Sequence, residues 1–374
     1  ILPLASEVRR TERLERLARN LDTGKLETAG LCFGGGVLDH ASHSGLQDAG
    51  IHPHLALANE LDEELLMHAR EHNDTIARDT TLMAAPMQEL VQDDWAMRQL
   101  RPVDTLCIGI PCSGASRAGR AKRGLGMMED HPTVGHLVAS AIMLIQRLNP
   151  AVIVLENVVP YKSTASAQIL RQHLRDSGYT IEEVTLNAAD FGCLEARERW
   201  FMVAATAGLP MDLQGLAPVV RPVRTVAEIL DKVPDDSPEW RTFDYLKTKQ
   251  LRDQDRGNCF RMQVVTPSDT SVPSLRKGYN RGGTTDPLLA HPSDPDRLRL
   301  FTLEEHARIK GVPPHLHTGM GRVAGHEMLG QGIAYEPVRA LFKRIGQCLL
   351  NWRAGVESLL PRQQLAYSLK AATG

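Results

Sequence analysis

Short uninterrupted apolar runs alternate along this chain with segments whose apolar residues recur every three or four positions. Leu14, Leu17 and Leu21, with charges between them, predict a helix over 6–22. The run 26–33 predicts a strand stopped by Gly34-Gly35-Gly36, with a helix over 37–49 behind it. A second strand is expected at 54–57, ending in Ala58-Asn59-Glu60-Leu61-Asp62, and then a helix to about residue 71. The runs at 104–110 and 151–155 read as buried parallel strands, with a helix over 135–148 between them. A further helix at 168–177 and a strand at 200–204 continue the alternation. Strands and helices alternating over roughly 200 residues predict an α/β sheet with helices on both faces.

The texture changes near residue 207. Prolines and charges rise through 210–222, and periodicity weakens, which marks 208–265 as a small separate region. Residues 268–296 are rich in turn formers, and helical signal returns at 302–309 and 336–350.

At 374 residues, 42% hydrophobic and 24% charged, the chain has the mix of a globular protein able to bury a sizeable core. A net charge of -2 creates no global positive field, so a polyanion would have to be held by local basic patches. Cys32, Cys107, Cys112, Cys193, Cys259 and Cys348 form no CxxC pair. That argues against a disulfide framework or a zinc site and for a reducing cytosol. No apolar run approaches the ~18–20 residues of a membrane span. Arg9, Arg10, Arg13 and Arg16 interrupt any signal-peptide pattern. The first residue is Ile1 rather than a methionine, so a start upstream of it is expected.

Candidate chemistry gathers at the ends of the apolar runs. Leu106-Cys107-Ile108-Gly109-Ile110 hands over to Pro111-Cys112 and a small-residue loop, which can present a thiol in a pocket. Cys107, within the run, reads as core. Glu156-Asn157-Val158 closes the next run, and a carboxylate there is costly unless it is paired or used. The glycine turn lets backbone N–H groups approach a ligand, and Glu60 after the second strand can accept from ribose hydroxyls. No GxxxxGK[ST] accompanies the turn, which argues against a nucleoside triphosphate. Arg197 and Arg199 within Glu195-Ala196-Arg197-Glu198-Arg199 share a face if extended; such a charge cluster is otherwise a solvated turn. Arg117, Arg120, Lys122 and Arg123 follow the thiol in a loop hinged by Gly114 and Gly119, and suit phosphate contact. Arg276, Lys277 and Arg281 form a second basic patch.

Together these segments resemble the cytosine-C5 DNA methyltransferase family. The resemblance rests on Pro111-Cys112, Glu156-Asn157-Val158 and Arg197-Glu198-Arg199 before an apolar strand, all in order. The stretch Asn187-Ala188-Ala189-Asp190-Phe191-Gly192, the segment 299–313 and Gly330-Gln331-Gly332 add to it. It implies a Rossmann-like S-adenosylmethionine-dependent methyltransferase sheet plus a small second domain. The implied plan is a helical extension over 1–25, a catalytic domain over 26–207 and a target-recognition region over 208–265. A return to the catalytic domain over 266–350 and a helical tail over 351–374 complete it. The implied cofactor is S-adenosylmethionine, lying on Leu31, Cys32, Phe33, Gly34, Gly35 and Gly36. Glu60 would meet its ribose, Leu61 and Asp79 its adenine, and Pro111 and Gln331 would complete the site. Four positions depart from the family pattern: the aromatic of the first motif is displaced to Phe33, Ser113 stands for Gln, Ala115 for an aromatic, and Gln331 for Asn.

The implied reaction is methyl transfer to C5 of a flipped cytosine in duplex DNA, through a covalent bond from Cys112 to C6. Glu156 would protonate N3, Arg199 would hold the O2 edge and Arg197 would support it or the Cys112 loop. Ser116, Asn157 and the basic residues of both patches would contact the substrate. The reaction needs no metal. A recognition region this short implies brief recognition or a partner protein. The expected location is the cytoplasm, at the nucleoid. Two alternatives stand beside this reading: a tRNA-type RNA cytosine-C5 methyltransferase, against which the absence of Cys-Phe-Thr tilts, and a catalytically silent nucleic-acid-binding protein.

Overall fold

A computed structural model describes residues 4–111, 127, 129–131, 135–216 and 224–371, with backbone alone over 356–371. Its centre is a seven-stranded sheet built from β1 (Lys25–Leu31), β2 (His52–Glu60), β3 (Thr81–Ala84), β4 (Thr105–Ile108), β5 (Val152–Asn157), β6 (Tyr179–Asn187) and β8 (Glu198–Thr206), the short β7 (Glu195–Ala196) lying outside it. The order is β3-β2-β1-β4-β5-β8-β6. β1 to β5 run parallel, and β8 lies antiparallel to both β5 and β6. The expected α/β sheet is present.

The helices are α1 (Ala5–Asp22), α2 (Val37–Asp48), α3 (Glu63–His72), α4 (Met87–Leu90), α5 (Asp94–Gln99), α6 (Leu137–Leu148), α7 (Ala165–Asp176), α8 (Asp244–Asp255), α9 (Leu303–Lys310), α10 (Arg322–Gln331) and α11 (Tyr335–Ala371). Successive strand residues point to opposite faces, and the core divides accordingly. Val152 and Val154 of β5 pack with Leu17 of α1, Leu46 of α2 and Phe342 of α11. Ile153 and Leu155 pack with Leu144 of α6 and Leu170 of α7. The two helical layers thus fall on either side of a sheet whose central strands are apolar on both faces.

β6 has no counterpart in the sequence reading. Glu182 and Glu183 interrupt its apolar residues, and as an edge strand it needs only partial burial. Glu183 is nonetheless used, accepting from the Trp200 indole nitrogen at 3.0 Å and pairing with Arg171.

A second core joins Val226, Trp240, Phe243, Leu275, Tyr279, Leu289 and Phe301. Its sheet is β9 (Val264–Val265), β11 (Leu288–Ala290) and β12 (Leu298–Arg299), with β11 in the middle. This core draws on residues both before and after position 265. β10 (Val272–Pro273) pairs in parallel with β7 and so joins the second core to the main domain. Among the described residues no helix is long and apolar enough to cross a membrane.

A buried acid fixes α1 to the opposite edge of the sheet from the glycine turn. Asp104, fully buried before β4, accepts from Arg16 Nε at 3.2 Å, Asn20 Nδ2 at 2.6 Å and Glu27 N at 2.9 Å. Losing one partner of a buried charge cluster leaves the others desolvated and unpaired. Asp104→Ala is therefore expected to cost about 3 kcal/mol, read as a lower urea midpoint at unchanged slope. A loss below about 1 kcal/mol would show that water replaces the carboxylate there.

Candidate active site

The strand order reverses between β1 and β4, and a crevice opens beyond the carboxyl ends of the strands at such a point. The turn after β1 borders it. Cys32, Gly34 and Gly36 take positive φ of 55°, 58° and 75°. A left-handed residue at every second position turns successive N–H groups inward and makes an anion-binding concavity. Gly34 N–H donates to Glu60 Oε2 at 2.6 Å, and Glu60 Oε1 accepts from Leu61 N at 2.8 Å and Asp62 N at 3.1 Å. The Glu60 carboxylate is thus fixed over the turn. Beside it Leu61, 67% exposed, offers an apolar surface to the crevice. A Cβ on Gly34 would meet nothing within 4 Å, so the turn is open on that side.

Within the turn only Cys32 and Gly34 are partly exposed. Burial, and then the charge of Glu60, push the Cys32 thiol up to about 12, which keeps it a neutral thiol. Phe33 is buried with Leu55, Ala58, Leu66 and Ala69, so its ring belongs to the core rather than the crevice. Leu31, Gly35 and Gly36 are likewise buried and shape the turn from behind. Gly35 lies under Met328 of α10, which brings the helix carrying Gln331 to the turn. Gln331 itself is exposed at the end of that helix.

At the next pair of strand ends, β4 continues to Ile110 and exposed Pro111, and β5 ends in Glu156 and Asn157. Asn157 corrects the sequence reading. Its carboxamide donates to Ile110 O at 3.0 Å and accepts from Val158 N at 2.9 Å, and its side chain is buried. It ties the two strand ends together and has no face for a substrate. Glu156 lies on the crevice side, 2.9 Å from Arg199 Nε. Burial raises the Glu156 carboxyl above its ordinary range, against the opposing pull of Arg199, Arg197 and Lys310. Such an acid holds a proton at a higher pH than a free carboxyl does.

Arg197 and Arg199 both act on Glu156 but are placed differently. Arg197 is buried and donates through Nη2 to Gly330 O at 3.2 Å and Gly332 O at 3.0 Å, and through Nη1 to Leu275 O at 3.4 Å. Its guanidinium organises the backbone on both sides of Gln331. Glu195, read from sequence as one charge in a solvated turn, is fully buried. It accepts from Lys310 Nζ at 2.8 Å and Leu275 N at 2.9 Å. Burial alone would raise the Glu195 carboxyl, but Lys310 and Arg197 hold it below its ordinary range. Lys310 had no signal in the sequence beyond its place in a helical segment.

Arg276, Lys277 and Arg281 are exposed. The backbone of Arg276 and Lys277 lies against Gly330, so the patch borders the residues held by Arg197. Asp79 is a second correction. It lies before β3, its Oδ1 is 3.0 Å from His54 Nε2, and His54 in turn meets Glu27 at 2.8 Å. That cluster sits toward the amino ends of β1 and β2, the edge away from Glu60, because the strands run parallel. Cys112, Ser116, Arg117, Arg120, Lys122 and Arg123 lie outside the described residues.

A family model, the C-5 cytosine-specific DNA methylase, matches residues 41–347. The type II methyltransferase M.HpaII of Haemophilus parainfluenzae is 24% identical over 66% of this chain and 73% of its own length. The type II methyltransferase M.NgoBI of Neisseria gonorrhoeae is 31% identical over 64% and 73%. Among solved structures, S. pombe Dnmt2 methyltransferase superposes with a TM-score of 0.65 at 17% identity, covering 87% of this chain and 99% of that one. A putative DNA modification methyltransferase encoded within an E. coli prophage gives 0.57 at 18%, over 87% and 99%. With the family match spanning the turn's helix, both strand ends, the buried arginine and the closing glycines, the chain belongs to the C-5 cytosine-specific DNA methylases.

Proposed function

We propose that this protein methylates C5 of a flipped cytosine in DNA, using Cys112 as nucleophile and Glu156 as acid. The observation that carries the reading is the Glu156–Arg199 pair beside the Ile110–Pro111 strand end, to which Asn157 fastens it. Cys112 follows at the next position in the chain. The family's description and the relatives' names support DNA as the substrate.

The crevice fits S-adenosylmethionine. Glu60, held by the turn's N–H groups, would accept from ribose hydroxyls, exposed Leu61 would face the adenine, and the open side of Gly34 would take the methionine end, with Pro111 and Gln331 completing the site. When bound, the cofactor supplies an electrophilic methyl group. Cytosine C5 is a weak nucleophile until C6 is attacked. The Cys112 thiolate forms the S–C6 bond, and the displaced ring electrons are met by the Glu156 proton at N3. Arg199 holds the O2 edge, and Arg197 acts as a positioning residue through the backbone it organises. Once C5 carries the methyl group, its proton passes to water, the C5–H electron pair re-forms the C5–C6 double bond as the S–C6 bond breaks, N3 returns its proton to Glu156, and the thiolate is released. A duplex base must be flipped out to reach this site, at a cost of a few kcal/mol.

Cys112→Ser is expected to abolish methyl transfer while leaving S-adenosylhomocysteine affinity within about threefold. The wild type, given DNA containing 5-fluorocytosine and cofactor, should form a covalent adduct stable to denaturation. Turnover by the serine variant, or an adduct with RNA but not DNA, overturns the assignment.

Glu156→Gln should lower kcat by about 10²–10⁴-fold, the usual worth of a positioned acid. The raised pKa also sets a pH signature. The protonated carboxyl is lost as pH rises through that value, so the wild-type rate should show a descending limb that the glutamine variant lacks. A near-normal rate in Glu156→Gln removes it from the acid role.

The exposed patch at 276–281 is expected to hold phosphates. Replacing Arg276 and Lys277 together by alanine should weaken DNA binding uniformly across sequences. The slope of log K against log salt should fall by about 2. An unchanged slope would place the DNA elsewhere.

A further inference from the structure

The geometry points to a divalent transition-metal site formed by His40 Nε2, an Asp74 carboxylate oxygen and His315 Nε2. The three come from separate parts of the chain: His40 from α2, Asp74 from the segment after α3, and His315 from a short helical turn at Pro314–His317. Their ligand atoms form a compact triangle. His40 Nε2 is 3.0 Å from Asp74 Oδ1 and 3.3 Å from His315 Nε2, and His315 Nε2 is 3.6 Å from Asp74 Oδ1. Nitrogen and oxygen donors bound tetrahedrally to one zinc ion at about 2.0–2.1 Å lie about 3.3 Å from each other. All three edges sit near that value.

Protons alone serve the triangle poorly. A single hydrogen on His40 Nε2 can point to Asp74 or to His315, but not to both. A hydrogen on His315 Nε2 would then face either the His40 N–H or a carboxylate 3.6 Å away. A cation satisfies all three lone pairs at once. The other nitrogen of His40 is held as a metal-bound histidine's usually is, with Nδ1 2.6 Å from the Tyr335 hydroxyl, itself 2.6 Å from Ser44 Oγ. His40 is buried, which fixes its ring, while Asp74 and His315 are exposed and leave a path for the ion and room for a water as fourth ligand. Two imidazoles and one carboxylate favour zinc, cobalt or nickel over magnesium or calcium.

The ion would bind behind the glycine turn. Asn73, adjacent to Asp74, donates through Nδ2 to Gly36 O at 3.3 Å, so the metal would clamp α2, the 73–74 segment and the 314–317 turn together. It takes no part in methyl transfer and does not rest on that reading.

The test is cobalt titration of the full chain after chelator treatment and removal of the chelator. One equivalent of Co²⁺ should bind with the visible absorption of a low-coordinate site, and Zn²⁺ should displace it and raise Tm. Asp74→Ala and His315→Ala alter exposed side chains, so their metal-free Tm should match the wild type. Each should lose the absorption and weaken binding by at least about 100-fold. His52→Ala, at an exposed histidine away from the triangle, should behave as wild type. The site is overturned if the wild type takes up no stoichiometric cobalt, if either variant binds it unchanged, or if His52→Ala abolishes the signal.

Discussion

The buried carboxylate of Glu195 is the contact through which the separate parts of this molecule depend on one another. It receives Lys310 from α9, the Leu275 amide from the second core and the charge of Arg197. Arg197 then holds the carbonyls of Gly330 and Gly332, at the end of α10. Chain segments more than a hundred residues apart thus meet around one acid. Breaking such a pair by removing one partner costs about 3–5 kcal/mol, because the remaining charge is left desolvated. The strand β7 that carries Glu195 is two residues long and pairs with β10, so the buried side-chain charges reinforce a short ladder. Arg199 follows four residues later and inherits that placement.

This arrangement explains why two arginines separated by one residue do different work. Arg197 is buried, with both terminal nitrogens turned to the carbonyls of Leu275, Gly330 and Gly332. Arg199, at the start of β8, faces the crevice and meets Glu156. Antiparallel pairing sets their meeting: Glu156 lies opposite Phe201 and Asn157 opposite Trp200, so Arg199 comes just past the end of β5. The β5–β8 register is fixed by apolar residues on both faces of both strands. The position of the polar pair therefore follows from the hydrophobic core.

Much of this was legible in the sequence, since the central strands are runs of apolar residues and the candidate site lies where those runs stop. Leu106 to Ile110 and Val152 to Leu155 announce buried parallel strands, and parallel strands place their carboxyl ends on one edge. What sequence could not show is which polar side chains the fold uses internally. Asn157 sits in a motif with Glu156, yet its amide is consumed by Ile110 and Val158. The resemblance assigns Asp79 to the adenine, but β3 is four residues long, begins after it, and has no strong apolar signal to place it. Glu195 and Lys310 are 115 positions apart, and neither is unusual where it stands. The triangle of His40, Asp74 and His315 is equally silent, because metal spacing is recognisable only when ligands lie close in the chain.

The Glu156 carboxyl shows why the buried charges and the reaction chemistry have to be considered together. Burial raises its proton affinity, while Arg199, Arg197 and Lys310 lower it. If the cations dominated, the group would be a permanent carboxylate, unable to serve in the acid role proposed for it. If burial acted alone, the acid would hold its proton too tightly to share it. Two of those cations are themselves paired in the core, since Glu195 accepts from Lys310 Nζ at 2.8 Å and lies 3.5 Å from Arg197 Nη1, so burial outweighs their pull on Glu156.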